Sequence, residues 1–177
     1  MAAFLSFLPI IVLMVGRRLL PRRWALLLSL ASAAATLVPW ALGGPAKHFS
    51  VMIAALIAVS FVWNTAHAAS AERWSGLLMT TGIALYAFAS IAVGHPFAEE
   101  WAHERVAPEF WSNPLTIHIV TTITVVWGAI YVVLAFNAYP QERWRLRPWM
   151  HTTLPIVLVI VGVVFSGWYP AYAVAHR

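Results

Sequence analysis

Residues 114–138 read PLTIHIVTTITVVWGAIYVVLAFNA, without a single Asp, Glu, Lys or Arg. They lie inside an uncharged run of 32 residues, 110–141. Crossing the hydrocarbon core of a bilayer as a helix takes about 20 mostly apolar residues, so this run alone argues for a membrane protein. The pattern repeats outward from it. Uncharged runs also cover 1–16, 24–46, 48–71, 74–98 and 148–176, and the six together hold 149 of the 177 residues. Only the first is shorter than a full crossing.

Within lipid the backbone must satisfy its own hydrogen bonds, which leaves helices or a closed barrel. Barrel strands alternate in polarity over about 10 residues, and no stretch of this chain does so. The expected fold class is therefore all-α, a polytopic transmembrane helical bundle with five full spans plus a short N-terminal apolar segment. The segments fall near 3–19, 24–43, 49–70, 75–94, 114–138 and 150–170 in a single integral membrane domain, 1–177. Pro9 shortens the first segment. It either crosses a locally thinned bilayer or dips in as a re-entrant or interfacial helix. Most connections are short: a turn at Gly43-Gly44-Pro45-Ala46-Lys47, another at Ala71-Glu72-Arg73, and a basic stretch from Tyr139 to Pro148. Only His95 to Asn113 forms a long loop.

At 62% hydrophobic and 10% charged, the chain has little sequence left for a soluble domain. The net charge of +5 resides in the connections, where basic residues set orientation and meet anionic headgroups. The expected partners are membrane lipid and other integral membrane proteins, with no nucleic acid. There is no cysteine, which excludes disulfides, thiolate metal sites and covalent c-type haem. Residues 1–16 carry no positive n-region and precede the first arginines, so they are expected to belong to the mature protein.

With alternating spans, Arg17, Arg18, Arg22, Arg23, Arg73, Arg143, Arg145 and Arg147 collect on one side. Lys47, Arg105 and Arg177 collect on the other. The positive-inside rule places the eight in the cytoplasm and the His95–Asn113 loop, with four of the six acids, outside. Trp24, Trp40, Trp74, Trp111, Trp144, Trp149 and Trp168 fall near segment ends, where indoles prefer the headgroup region. Trp63 and Trp127 lie inside spans and are expected to pack between helices.

No Asp, Glu, Lys or Arg lies deep in a span, which argues against proton-coupled pumping or transport of charged substrates. Thr80, Thr81, Thr121, Thr122 and Thr124 are expected to make interhelical hydrogen bonds, the alternative being the lining of a small-solute channel. Among seven histidines, His118 and His67 are the candidates to ligate a cofactor, a haem or chlorophyll-type pigment, although nothing in the sequence requires one. His118, about a turn inside its span, is equally suited to a hydrogen bond with a neighbour.

The long loop contains His95-Pro96-Phe97-Ala98-Glu99-Glu100-Trp101-Ala102-His103-Glu104-Arg105. A helix over 97–105 would pair Glu99 with His103 and Glu100 with Glu104 at i and i+4, and put Phe97 and Trp101 on one face. That pattern suits a short amphipathic helix lying on headgroups. Glu and His at this spacing also suit a divalent metal, but no complete ligand set is present and no metal site is expected. Phe97, Trp101 and Trp111 are the expected anchors of this interaction loop, and His95, Glu99, Glu100, His103 and Glu104 its polar face. No nucleophile elbow, phosphate-binding glycine loop or dinucleotide fingerprint occurs, and the chain is expected to be non-enzymatic.

The opening Phe4-Leu5-Ser6-Phe7-Leu8-Pro9-Ile10-Ile11-Val12, with the basic turn Arg17 to Trp24, resembles the N-terminus of the intracellular septation protein A family. So do His95-Pro96-Phe97, Pro108-Glu109-Phe110-Trp111-Ser112, Trp127-Gly128 and the closing Phe165-Ser166-Gly167-Trp168-Tyr169. The likeness extends over nearly the whole chain. Ser6 stands where the family often has an acid, and the family's long loop is usually placed in the cytoplasm, opposite to the side the arginines favour. The resemblance implies a multi-pass protein of the bacterial inner membrane, acting through protein contacts in septation or envelope maintenance. A separate reading of the residues is an accessory subunit of a respiratory or photosynthetic complex.

Absence of cysteine makes the orientation directly measurable. In intact cells a membrane-impermeant maleimide is expected to label Ala46→Cys and Ala102→Cys but not Gln141→Cys. The opposite pattern would invert the topology.

Overall fold

A computed structural model of the chain describes residues 8–9, 12–13, 16, 19–42, 48–139 and 150–176. Most of the segment near 3–19, the Gly43–Lys47 turn and the connection 140–149 lie outside the described residues. Those described form α1 (Arg22–Ala41), α2 (His48–Ala66), α3 (Ala68–Ala92), α4 (Glu99–Ala102), a 3-10 turn (Pro108–Phe110), α5 (Pro114–Ala138) and α6 (Met150–Ala175), with no strand among them. Four stretches are long and apolar enough to cross a membrane: His48–Ala66, Trp74–Ala92, Pro114–Ala138 and Thr153–Ala175. The apolar part of α1, Arg23–Val38, is shorter, so the described residues give four such helices where five full spans were expected.

The chain divides into two compact units, Met1–Met79 and Thr80–Arg177, with the boundary inside α3. In the first, α1 packs on α2. Ala25, Leu26, Ser29 and Ala33 form the buried stripe of α1, and Phe49, Ile53, Ile57 and Ser60 that of α2, both at the 3–4-residue spacing of one helix face. The Ser29 hydroxyl donates to the Pro9 carbonyl at 2.7 Å.

One boundary differs from the sequence reading. The turn expected at Ala71-Glu72-Arg73 is helical, and the break falls at His67. Ala68, Ala69 and Ala71 are strong helix formers with no glycine or proline among them, so α3 begins before its apolar part, and the charges ride in its first turns. The Trp63 indole donates to the Ser70 hydroxyl at 3.1 Å, joining the end of α2 to the start of α3.

In the second unit α3 ends at Ala92 and is closed by Gly94, the one described residue with positive φ, at 82°. The Gly94 N–H bonds the Ile91 carbonyl at 3.0 Å and the His95 N–H the Ser90 carbonyl at 2.9 Å. This is a Schellman ending, which a side chain would strain. α5 starts with Pro114 behind an Asn113 cap, whose side chain accepts from the Leu115 N–H at 2.8 Å, the arrangement expected for Pro at the first helical position.

α5 packs against α6. The Trp127 indole, buried as expected for a tryptophan inside a span, donates to the Ser166 hydroxyl at 2.9 Å. That hydroxyl donates to the Gly162 carbonyl at 2.8 Å. α6 runs to Ala175, past the expected end near 170, and holds Pro155 and Pro170 inside it. In lipid, neighbouring helices and polar side chains help a helix tolerate internal proline.

A Cβ on Gly162 would lie 3.0 Å from Trp127 and from Ile130, whereas one on Gly167 would meet nothing within 4 Å. Both Gly→Ala changes gain the same helix propensity, so their difference isolates packing. In denaturation from mixed micelles, Gly162→Ala is expected to fall about 1–3 kcal/mol below Gly167→Ala. Equal stabilities would show that the α5–α6 contact does not depend on that glycine.

Candidate functional site

The loop between α3 and α5 turns inward before it turns outward. Pro96, Phe97 and Ala98 are buried. Two consecutive backbone donors enter with them and both meet hydroxyls on the flanking helices. The Phe97 N–H donates to Ser90 Oγ at 3.1 Å and the Ala98 N–H to Thr124 Oγ1 at 3.4 Å. Each hydroxyl passes its own hydrogen to a carbonyl of its helix, Ser90 to Ala87 at 2.7 Å and Thr124 to Val120 at 2.8 Å. Thr124 thus serves the loop and its own helix, and Thr122 bonds the His118 carbonyl at 2.8 Å, where interhelical bonds were expected.

The expected amphipathic helix over 97–105 is a correction: only the single turn Glu99–Ala102 is α-helical. Burying Phe97 draws the start of the segment off the surface. At the other end Ala107 precedes Pro108, which disfavours helical backbone, and Ala107 is extended at φ −62°, ψ 145°. Phe97 stays an anchor, docked rather than laid on headgroups. The Trp101 ring meets it edge-on at 5.3 Å between centroids, and Tyr86 lies 6.4 Å from it. Glu100 turns toward the Tyr86 hydroxyl, within hydrogen-bonding reach.

The outer side gathers the rest. Glu99 lies between two imidazoles, its Oε2 3.4 Å from His95 Nδ1 and its Oε1 3.4 Å from His103 Nε2. These contacts become ion pairs when the histidines are protonated. The His103 ring stacks on Trp111 at 3.9 Å, and the Trp111 indole donates to the Val106 carbonyl at 2.9 Å. Glu104 is exposed. The imidazoles address different carboxylate oxygens, and no group of three or more His, Asp or Glu among the described residues is placed to hold a metal ion.

Magnitudes separate anchor from face. Burying Phe97 contributes about 1.5–3 kcal/mol, and each amide–hydroxyl bond about 1 kcal/mol. Exposed ion pairs contribute about 0–1 kcal/mol. Phe97, Ser90 and Thr124 hold the loop, and Glu99, His95, His103 and Trp111 are presented by it. Ser90 and Thr124 escaped the sequence reading because a lone hydroxyl in a span has no spacing that marks it as a loop acceptor.

The two candidate cofactor ligands lie in different units. His67 is exposed at the α2–α3 break, where its carbonyl accepts from the Ala71 N–H at 2.9 Å and the Ser70 hydroxyl at 3.1 Å. His118, in the second turn of α5, has Nε2 at 3.2 Å from the Tyr169 hydroxyl of α6. The pair lines an open groove of about 460 Å³ with Leu115, Tyr172, Ala173 and His176. Tyr172, Ala173 and His176 were not anticipated, because the helix was expected to end near 170.

No protein-family model matches this chain, and no curated protein or solved structure is significantly similar to it.

Loop docking can be read from tryptic cleavage after Arg105. Phe97→Ala is expected to lower the local opening energy by about 3–5 kcal/mol, and Ser90→Ala, which strands a buried N–H, by about 1–3 kcal/mol. Glu99→Gln touches only the outer pairs and should change it by less than about 1 kcal/mol. Equal cleavage rates in all three would mean that the loop is not held by its buried side.

Proposed function

We propose that this chain is a non-enzymatic, multi-pass protein of the bacterial inner membrane that acts through protein contacts in septation or cell-envelope maintenance. In this reading α1 joins the four long helices as a fifth span and the loop faces outward. The observation that carries it is the division within the loop: a buried anchor fixes the backbone, while Glu99, His103, Glu104 and Trp111 stand on the outer side. A prefolded loop loses little conformational entropy when a partner docks, and this favours recognition. The resemblance of the opening and closing motifs to the septation protein A family supports the cellular role.

A second reading, an accessory subunit of a respiratory or photosynthetic complex, draws on α6. In its membrane-length stretch Thr153–Ala175 only 6% of the residues are buried within the chain, against 39% in Pro114–Ala138. That leaves most of its surface to lipid or to other integral membrane proteins.

Affinity purification from native membranes in mild detergent, followed by mass spectrometry, separates the two. Division or cell-wall proteins are expected with the wild-type chain and should fall about tenfold with Glu99→Gln/Glu104→Gln, the loss of one good interfacial contact. Stoichiometric subunits of an energy-converting complex would establish the second reading. Undiminished partner recovery after exchange of the loop for an unrelated linker would sink the first.

A further inference from the structure

We propose that the outer groove between α5 and α6 binds the ring of an isoprenoid quinol or quinone. The groove lies where the start of α5 meets the end of α6. His118 is in the second turn of α5, Tyr169, Tyr172 and Ala173 lie in the last two turns of α6, and His176 follows directly after its end. On α6 these residues follow one another at i, i+3, i+4 and i+7, which is a single helix face. Ala173 leaves the space between the flanking aromatic side chains.

The polar groups are placed by contacts that exist without a ligand. Tyr169 stacks on Phe165 at 4.9 Å. Trp168, Tyr172 and His176 form a ladder with centroid spacings of 4.7 Å and 4.2 Å. His176 Nδ1 is 3.0 Å from the Tyr172 carbonyl. A carbonyl only accepts, so Nδ1 carries the hydrogen and Nε2 of the neutral ring is an acceptor. The His118–Tyr169 pair, at 3.2 Å, can donate or accept by exchanging tautomers. One side of the groove therefore accepts, and the other does either.

Chemistry selects the ligand class. Among the described residues no Lys or Arg lines the groove, so its described lining offers no cationic partner to the phosphate of a phospholipid. The described lining combines two imidazoles and two phenols with the apolar Leu115 and Ala173, which suits a flat uncharged ring carrying oxygen functions. Its volume of about 460 Å³ is within the ordinary range for small-molecule sites. The groove is open, and the exposed aliphatic side chains Ile156, Val157, Ile160 and Val164 of α6 give an apolar tail a track in the acyl region. A quinol meets these terms: one hydroxyl donates to His176 Nε2, and the oxygen across the ring pairs with His118 and Tyr169. The proposal is one of binding and does not depend on the partner-contact reading above.

The test is equilibrium binding of a decyl-benzoquinol, and of its quinone, to the protein in nanodiscs, with empty nanodiscs subtracted. One saturable site is expected. Tyr169→Phe, which keeps the stacked ring and loses only the hydroxyl, should weaken it about three- to tenfold, and His118→Leu similarly. Ala173→Leu, which fills the floor and touches no polar group, should abolish it. Tyr139→Phe, at the other end of α5, should leave it unchanged. Absence of saturation, or an affinity indifferent to Tyr169→Phe and Ala173→Leu, would overturn the proposal. Displacement of the probe by an anionic phospholipid at equal mole fraction would also overturn it, by assigning the groove to a phosphate headgroup.

Discussion

A peptide N–H that leaves a helix inside an apolar bundle must find an acceptor or cost about 1–3 kcal/mol. The second unit solves that problem twice in succession, with Ser90 taking the Phe97 amide and Thr124 the Ala98 amide. The remaining features of the loop depend on this. Because the two amides are satisfied, Phe97 can be buried without stranding its own backbone. Because Phe97 is buried, the next turn must emerge with its polar residues outward. The Schellman ending at Gly94 supplies the entry angle, and the Asn113–Pro114 cap supplies the return.

The outer cluster follows from that geometry and does not create it. Glu99 lies two residues beyond the buried anchor, on the first turn of α4, which brings it between His95 and His103. His103 in turn rests on Trp111, whose indole is fixed to the Val106 carbonyl. Each contact is weak and exposed. Together they define a shaped surface at little conformational cost, because the buried side has already ordered the backbone. The fold of the loop tolerates change in these outer residues far better than change in its anchor.

The helices were legible in the sequence because uncharged runs longer than a bilayer crossing have few alternatives to a buried or lipid-facing helix. The span 114–138 was read with its observed boundaries, since Asn113-Pro114 is a start signal written in side-chain chemistry. The break at His67 was missed because Glu72 and Arg73 look like a turn when charge alone is read. Alanine-rich flanks override that cue by propensity. The end of α6 was missed for a related reason. Pro170 stops a helix in water more often than in a bundle, and the helix that continues to Ala175 puts Tyr172, and His176 directly after its end, in one groove with His118. The loop residues singled out from sequence were divided into the anchors Phe97, Trp101 and Trp111 and a polar face. The structure instead buries Phe97 against Trp101, leaves Trp111 exposed beside His103, and turns Glu100 toward Tyr86. Hydroxyls that bond across the fold leave no periodic trace.

α6 shows how little contact a span needs in order to be placed. It meets α5 in antiparallel register, His118 with Tyr169, Trp127 with Ser166 and Ile130 with Gly162. Gly162 sets the closest approach, and Trp127 fills the space that a side chain there would take. Most of the remaining helix surface consists of exposed branched aliphatics such as Val157, Ile160 and Val164, which lipid solvates as well as protein does. Packing therefore fixes one narrow stripe of α6 and leaves the rest of its surface without demands from the fold. Tyr169 meets His118 at the last of those three contacts along α6, and Tyr172 and His176 follow it at the C-terminal end of the helix. The Trp168–Tyr172–His176 ladder runs along α6 itself and makes none of the three contacts with α5 just named.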